Sequence, residues 1–200
     1  MVTNDDRKTF FGTAVRLREE FVETGEEENL TKAETFFREA IQRFHNLWMS
    51  HFGLGELLLL KAARSFEKSG PVFSEGVTEV TRATELDPNQ AEPQLKLAST
   101  LAALDINTAE RYYSQALKTL KSRAEPMYPV LWQAIDHWKF AILAAEASHQ
   151  SISIDAFCRA IEIDDVFAGK YTPSHPLANA AWQSALKKLG KAGWFELGRI

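Results

Sequence analysis

Histidine and cysteine are the side chains best suited to metal binding or nucleophilic catalysis, and their spacing in this chain supports neither. No two histidines have the i, i+4 spacing with glutamate that forms a zinc-protease helix, and the single cysteine excludes a Cys-x-x-Cys motif. The sequence also has no glycine-rich phosphate loop and no Gly-x-Ser-x-Gly elbow. We therefore predict no metal, no cofactor and no catalytic residue. The five histidines are His45, His51, His137, His149 and His175.

Asp136 and His137 are neighbours that could be imagined as part of a proton relay. Adjacent residues on a helix do not face each other, so a structural, partly buried histidine is the preferred interpretation. Cys158 has no histidine at a local spacing that would activate it, and we interpret it as a structural thiol. A helical-repeat enzyme or small-ligand sensor, with a pocket near Asp136, His137 and Trp132, remains as the alternative function.

Composition limits the classes of partner and the compartment. The chain is 45% hydrophobic and 25% charged, as in globular proteins, and its formal net charge is −4. An RNA-binding repeat would need a basic stripe with aromatic side chains, so nucleic acid is not an expected partner. The longest apolar run, residues 140–145, is too short to insert across a membrane, and the N-terminus lacks signal-peptide features. These features, together with a single cysteine, predict a cytoplasmic protein.

Four eight-residue segments, which we call octads, share a helical pattern. They read AETFFREA at 33–40, GVTEVTRA at 76–83, AERYYSQA at 109–116 and SIDAFCRA at 153–160. Each begins with a small residue, has a large apolar residue four positions later and ends in alanine, so the three positions share one helix face. Small residues allow a neighbouring helix to approach closely, and the large residue fills the gap. The pattern predicts helices that pack against one another.

A second motif precedes the octads. Residues 54–58 (Leu-Gly-x-x-Leu) and 97–101 (Leu-Ala-x-x-Leu) place large, small and large side chains on one face of a leading helix, and residues 11–15 do so more loosely. The octad at 76–83 runs into Leu86-Asp87-Pro88, where proline ends the helix. Capping boxes are predicted at Thr31-x-x-Glu34 and Asn107-x-x-Glu110.

This order of motifs resembles the tetratricopeptide repeat, whose period is about 34 residues. The octads here start at 33, 76, 109 and 153. In three of the repeats, those with octads at 33, 76 and 153, the octad starts 21 residues after the small-residue position of the leading-helix motif, so these three are longer than that period. The resemblance implies an all-α, right-handed helical-repeat solenoid of antiparallel helix pairs with a C-terminal capping helix. We predict a single domain over 1–200, with repeats at about 5–46, 47–89, 90–122 and 126–166 and a capping helix and tail at 175–200.

The resemblance also implies a function, a non-catalytic scaffold, adaptor or assembly factor. In this family the leading helices line a groove that holds a peptide or a helix, and we expect a protein partner that contributes an amphipathic helix. Members of this family that bind C-terminal carboxylates hold them with paired lysines and asparagines on the leading helices. The matched positions of this chain lack these residues. The groove-lining positions of the family fall on Arg16, Met49, Phe52, Glu56, Leu59, Leu95, Ser99, Gln133 and His137.

The tail after Gly190 carries large apolar side chains, among them Trp194 and Phe195. Such side chains are poorly suited to full exposure in water. Three arrangements are open: packing on the last helices, which we favour slightly, insertion into the chain's own groove, or contact with a second copy in a homodimer.

Overall fold

The structure is a computed structural model of the 200-residue chain, and it describes residues 4–65, 69–121, 130–164 and 171–191. Over these ranges the regular secondary structure is helical, and the ranges contain no strand. The all-α fold predicted from the sequence is therefore confirmed. The helices of the described ranges are α1 (Asn4–Thr24), α2 (Glu27–Arg43), α3 (Trp48–Arg64), α4 (Pro71–Leu86), α5 (Ala91–Leu101), α6 (Ile106–Lys121), α7 (Val130–Glu146), α8 (Gln150–Ile163) and α9 (Pro176–Lys188).

The chain divides into two compact units, the N-terminal unit Met1–Pro93 and the C-terminal unit Gln94–Ile200. In the N-terminal unit α1 packs against α2 and α3 against α4, and α3 also contacts α1 and α2. In the C-terminal unit α7 packs against α8, and α9 packs against both. The helix bounds place one helix pair in each predicted repeat. The single domain over 1–200 stays a prediction.

The octads supply the core of each unit, because their three pattern positions are buried in all four copies. In the N-terminal unit Phe37 lies in a cluster with Leu30 and Leu54. In the C-terminal unit the Tyr113 ring stacks on Phe140, with ring centroids 4.1 Å apart. Each such side chain, when fully buried, stabilises the fold by about 1.5–3 kcal/mol. The buried octad positions are Ala33, Phe37, Ala40, Gly76, Val80, Ala83, Ala109, Tyr113, Ala116, Ser153, Phe157 and Ala160.

The glycine of the leading-helix motif lies at a close helix contact on α3 but not on α1. A Cβ atom added to Gly55 on α3 would lie 2.5 Å from Val80 Cγ2 and 2.9 Å from the carbonyl oxygen of Gly76, both on α4. A Cβ atom added to Gly12 on α1 would meet nothing within 4 Å. The close crossing of α3 and α4 therefore requires glycine at position 55, whereas α1 does not require it at position 12.

Helix α9 covers the exposed side of the α7–α8 pair, as predicted for a capping helix. The Trp182 ring of α9 lies 4.8 Å from the Trp138 ring of α7 and 5.7 Å from the Phe157 ring of α8, between ring centroids. Trp182 is 2% exposed. Such edge-on aromatic contacts bury large apolar area and add a specific geometry.

Both predicted capping boxes are wrong. Helix α2 begins at Glu27, four residues before Thr31, and the Thr31 hydroxyl instead donates a hydrogen bond to the Glu27 carbonyl at 3.1 Å. At the start of α6 the Asp105 carboxylate accepts hydrogen bonds from the Asn107 and Thr108 amides, both at 3.1 Å. An ionised side chain that reaches two free amides caps more strongly than the asparagine two residues later.

Candidate functional site

On α1 and α3, the leading helices of the N-terminal unit, the predicted groove residues differ in exposure. Arg16 is exposed and forms an ion pair within α1. Met49 and Leu59 on α3 are half-buried. Phe52 is buried, and its ring centroid lies 6.1 Å from that of Trp48. Arg16, Met49 and Leu59 therefore keep side-chain surface that a partner can contact.

Glu56, the remaining groove position of α3, takes part in an ion pair inside the unit. Its carboxylate accepts a hydrogen bond from Arg18 Nη1 at 2.7 Å. The two side chains are only 10% and 14% exposed, so the pair joins α1 to α3 in a partly buried setting. A pair that is shielded from water is screened less than a surface pair. Glu56 thus neutralises Arg18 in the unit's own packing.

The predicted groove residues of the C-terminal unit are all buried. Leu95 and Ser99 lie on α5, and Gln133 and His137 lie on α7. A partner that approaches the unit in this conformation would find little of these side chains to contact. Asp136, a residue of the pocket in the alternative function, is only 1% exposed.

Asp136 is held by side chains from α5. Its Oδ1 atom accepts a hydrogen bond from Lys96 Nζ at 2.9 Å and another from the Ser99 hydroxyl at 2.8 Å. Lys96 is opposite in charge and its side chain is 12% exposed. The free-energy cost of removing a carboxylate from water is offset only when cations and hydrogen-bond donors take the place of the water. Asp136 therefore fixes α7 against α5, and within the part of the chain that the structure describes its Oδ2 atom meets no hydrogen-bond partner.

His137 points to a different partner from that of Asp136. Its Nδ1 atom lies 2.7 Å from the Tyr113 hydroxyl on α6, and its Nε2 atom has no hydrogen-bond partner among the described residues. Complete burial lowers the pKa of His137 to about 3, so the imidazole is neutral near pH 7. The two adjacent side chains do not form a relay with each other, in agreement with the preferred interpretation from sequence. The Trp132 side chain lies outside the described residues.

A charged cleft in the N-terminal unit was not anticipated from the sequence. It has a volume of about 530 Å³ and lies between α2, the end of α3 and the start of α4. Arg38 Nη1 donates a hydrogen bond to Glu75 at 2.7 Å and its Nε atom donates one to Glu34 at 2.9 Å. Lys61 also pairs with Glu34. The lining residues are Glu27, Leu30, Glu34, Arg38, Leu58, Lys61, Arg64, Ser65, Val72 and Glu75.

The charged side chains of this cleft shift one another's pKa values. Burial acts to raise the pKa of Glu34, but hydrogen bonds from Lys61 and Arg38 outweigh it and lower that pKa. The hydrogen bond to Glu75 raises the pKa of Arg38 above its ordinary value. Only the Glu34–Arg38 spacing of four residues could have indicated the network from sequence. The other pairs join residues 27 or more positions apart.

The described ranges contain no group of three or more His, Cys, Asp or Glu side chains that could hold a metal ion. None of the described helices combines the length and the apolar character that a membrane crossing requires. The tail residues Trp194 and Phe195 lie outside the described residues, so their three predicted arrangements stay predictions.

No protein-family model and no curated protein sequence matches this chain. Solved structures do. The crystal structure of MamA protein is similar with a TM-score of 0.58 and 14% sequence identity, and the match covers 98% of this chain and 95% of that one. The MamA RS-1 ArsTM double mutant is similar with a TM-score of 0.55 and 16% identity, covering 99% and 98%. At such identities the likeness concerns the fold, and it confirms the degenerate tetratricopeptide-like helical repeat predicted from the sequence.

Proposed function

We propose that this chain is a non-catalytic protein-interaction scaffold that binds a peptide or amphipathic helix along α1 and α3 of its N-terminal unit. The observation that carries the proposal is the difference between the two units at the groove positions. Met49, Leu59 and Arg16 keep surface available, whereas the matched positions of α5 and α7 are buried, and Ser99 and His137 bond inside their own unit. The helical-repeat fold is a general means of presenting such surface to other proteins.

The available side chains specify the chemistry of the partner. Met49 and Leu59 offer apolar area, and methionine adapts its shape to varied apolar ligands. Arg16 has 61% of its side chain exposed, and it forms a surface ion pair with Glu20. A ligand carboxylate can replace Glu20 in that pair at little cost in free energy. We expect a partner segment with an apolar stripe and a nearby acidic residue. The unpaired, buried Cys158 supports a cytoplasmic location as part of the same proposal.

The proposal is tested in two steps, identification of the partner and then a binary measurement. Affinity purification from native extract with the intact chain identifies partner proteins, and size measurement of the purified chain detects a homodimer. Binding of the purified partner is then compared for the parent, Met49→Glu/Leu59→Glu and Arg16→Glu. Loss of two apolar contacts is expected to weaken binding by tenfold or more, since about 1.4 kcal/mol corresponds to a factor of ten.

Leu104→Glu is the matched control, because Leu104 is also apolar, is 56% exposed, and lies in the turn after α5. It adds one negative charge, as each of the two substitutions in the double variant does, at a position outside α1 and α3. All variants are first checked for helicity and melting temperature. The proposal is wrong if the folded Met49→Glu/Leu59→Glu variant binds like the parent, or if Leu104→Glu weakens binding to the same extent.

A further inference from the structure

His51 joins three segments of the N-terminal unit through its two ring nitrogens. It lies in the first turn of α3 and is 7% exposed. Its Nδ1 atom is 2.6 Å from Glu79 Oε2 on α4. Its Nε2 atom is 3.1 Å from the main-chain carbonyl oxygen of His45, in the turn between α2 and α3. One imidazole ring therefore connects that turn, α3 and α4.

Both atoms that face the ring are hydrogen-bond acceptors. A carbonyl oxygen cannot donate, and an ionised carboxylate cannot donate either. Neutral imidazole has one N–H group, so it can satisfy only one of the two contacts and would set a nitrogen lone pair against an oxygen at the other. The imidazolium form has two N–H groups and satisfies both. The geometry around His51 thus matches its protonated form.

The surrounding charges agree with this assignment. Among the described residues, the charged groups that act on the pKa of His51 are Glu79 and Arg82, both on α4. The hydrogen bond with Glu79 raises the pKa of His51, the bond to the His45 carbonyl acts in the same direction, and burial and Arg82 oppose them. Arg82 Nη1 donates a hydrogen bond to Glu85 at 2.9 Å, so the negative charge of Glu85 offsets part of the repulsion between Arg82 and the imidazolium.

We propose that His51 is a proton-dependent latch, formed with Glu79 and the His45 carbonyl, that holds the α2–α3 turn and the first turn of α3 against α4. The latch is closed when the imidazolium is present, and one of its two contacts is lost when the proton leaves. A histidine whose pKa is raised by folding stabilises the fold fully below its unfolded-state pKa, and this stabilisation is lost as the pH rises through the folded-state pKa. The turn therefore loosens on the alkaline side.

The main-chain hydrogen bonds of the turn provide the readout. The Leu47 amide donates to the Phe44 carbonyl at 2.8 Å, and the Ser50 amide donates to the Leu47 carbonyl at 3.0 Å. If the latch opens, these amides become available to solvent and exchange their hydrogens faster. Hydrogen exchange at these two positions thus measures the latch itself and does not depend on the proposed binding function.

The experiment combines an NMR titration of the full chain with hydrogen exchange at about pH 5.5 and about pH 8, on either side of the usual titration of histidine. We expect the His51 ring to titrate above the ordinary value of about 6.5. We expect the protection of the Leu47 and Ser50 amides, corrected for intrinsic exchange, to fall about tenfold at the higher pH, the equilibrium equivalent of one charge-assisted hydrogen bond. Glu79→Gln should bring protection at the lower pH to the level that the parent shows at the higher pH.

His149→Gln is the matched control, because His149 also pairs with a glutamate, Glu110, but in the C-terminal unit. It should leave the exchange of the Leu47 and Ser50 amides unchanged. His51→Gln assigns the ring signal. If His51→Gln unfolds, the titration of the parent and the exchange of Glu79→Gln still decide the outcome. A His51 ring that titrates at or below the ordinary value, or turn amides whose corrected protection is independent of pH, would overturn the proposal.

Discussion

Replacement of Gly55 by alanine tests the close crossing of α3 and α4 in the N-terminal unit. The new Cβ atom would lie 2.5 Å from Val80 Cγ2 and 2.9 Å from both the Gly76 carbonyl oxygen and the Val80 amide nitrogen. Two of these three atoms belong to the main chain, so no change of rotamer relieves the contact. Helix α4 must move away from α3, and forcing extra atoms into a well-packed site costs about 1–3 kcal/mol.

The alanine also favours the helix intrinsically, and the two effects must be weighed. Alanine in place of glycine inside a helix stabilises it by about 1 kcal/mol. With main-chain contacts this short we take the upper part of the overpacking range, about 3 kcal/mol, which leaves a net loss of about 2 kcal/mol. For a chain of this length that loss lowers the melting temperature by about 4–8 °C.

Gly12→Ala is the matched control, because Gly12 holds the same motif position on α1 but has open space around its Cβ direction. There the propensity gain acts alone, and we expect stability to rise by about 0.5–1 kcal/mol. Urea titration followed by circular dichroism measures both variants. The reasoning is refuted if Gly55→Ala is as stable as the parent, or if the two substitutions shift stability in the same direction.

Two further predictions concern ion pairs at different depths. Asp136→Ala removes a buried carboxylate that accepts hydrogen bonds from Lys96 and Ser99, so we expect a loss of about 3 kcal/mol in urea unfolding, whereas Asp155→Ala, which breaks an exposed pair, should cost far less. Equal costs would contradict the burial argument. Glu34→Gln should cost about 1 kcal/mol at neutral pH. Because folding lowers the pKa of Glu34, its contribution is present above the unfolded-state pKa and is lost on acidification, so the variant should show a shallower decline of melting temperature between about pH 5 and about pH 3. An unchanged acid profile would contradict the prediction.

The fold was predictable because the octads encode it locally. Phe37 and Tyr113 sit four residues after a small residue and three before an alanine, and this spacing alone places all three positions on one buried face. The helix starts were less predictable. Asp105 and Asn107 are both good capping residues. The sequence does not show which of the two lies where its side chain reaches the free amides, and in the structure it is Asp105.

The sequence predicts on which helices the candidate site residues lie, but it does not predict how exposed their side chains are. The family spacing correctly places Ser99 and His137 on leading helices, yet it contains no information about what packs over them. Their hydrogen-bond partners, Asp136 and Tyr113, lie 37 and 24 residues away from them in the chain. The same limit applies to His51, whose acceptor Glu79 lies 28 residues further on. Contacts at such separations have no local signature.

The thiol of Cys158 makes the docking of the last helix measurable without any substitution. It is the single cysteine of the chain, is 6% exposed on α8, and donates a hydrogen bond to the Ala185 carbonyl of α9 at 3.9 Å. Burial limits reagent access to the Cys158 thiol and raises its pKa, so the thiol reacts faster when α9 lifts away. Alkylation should therefore be slow, and its rate relative to that of a free thiol gives the equilibrium constant for detachment of α9. The native chain thus carries its own reporter for the opening of its C-terminal cap.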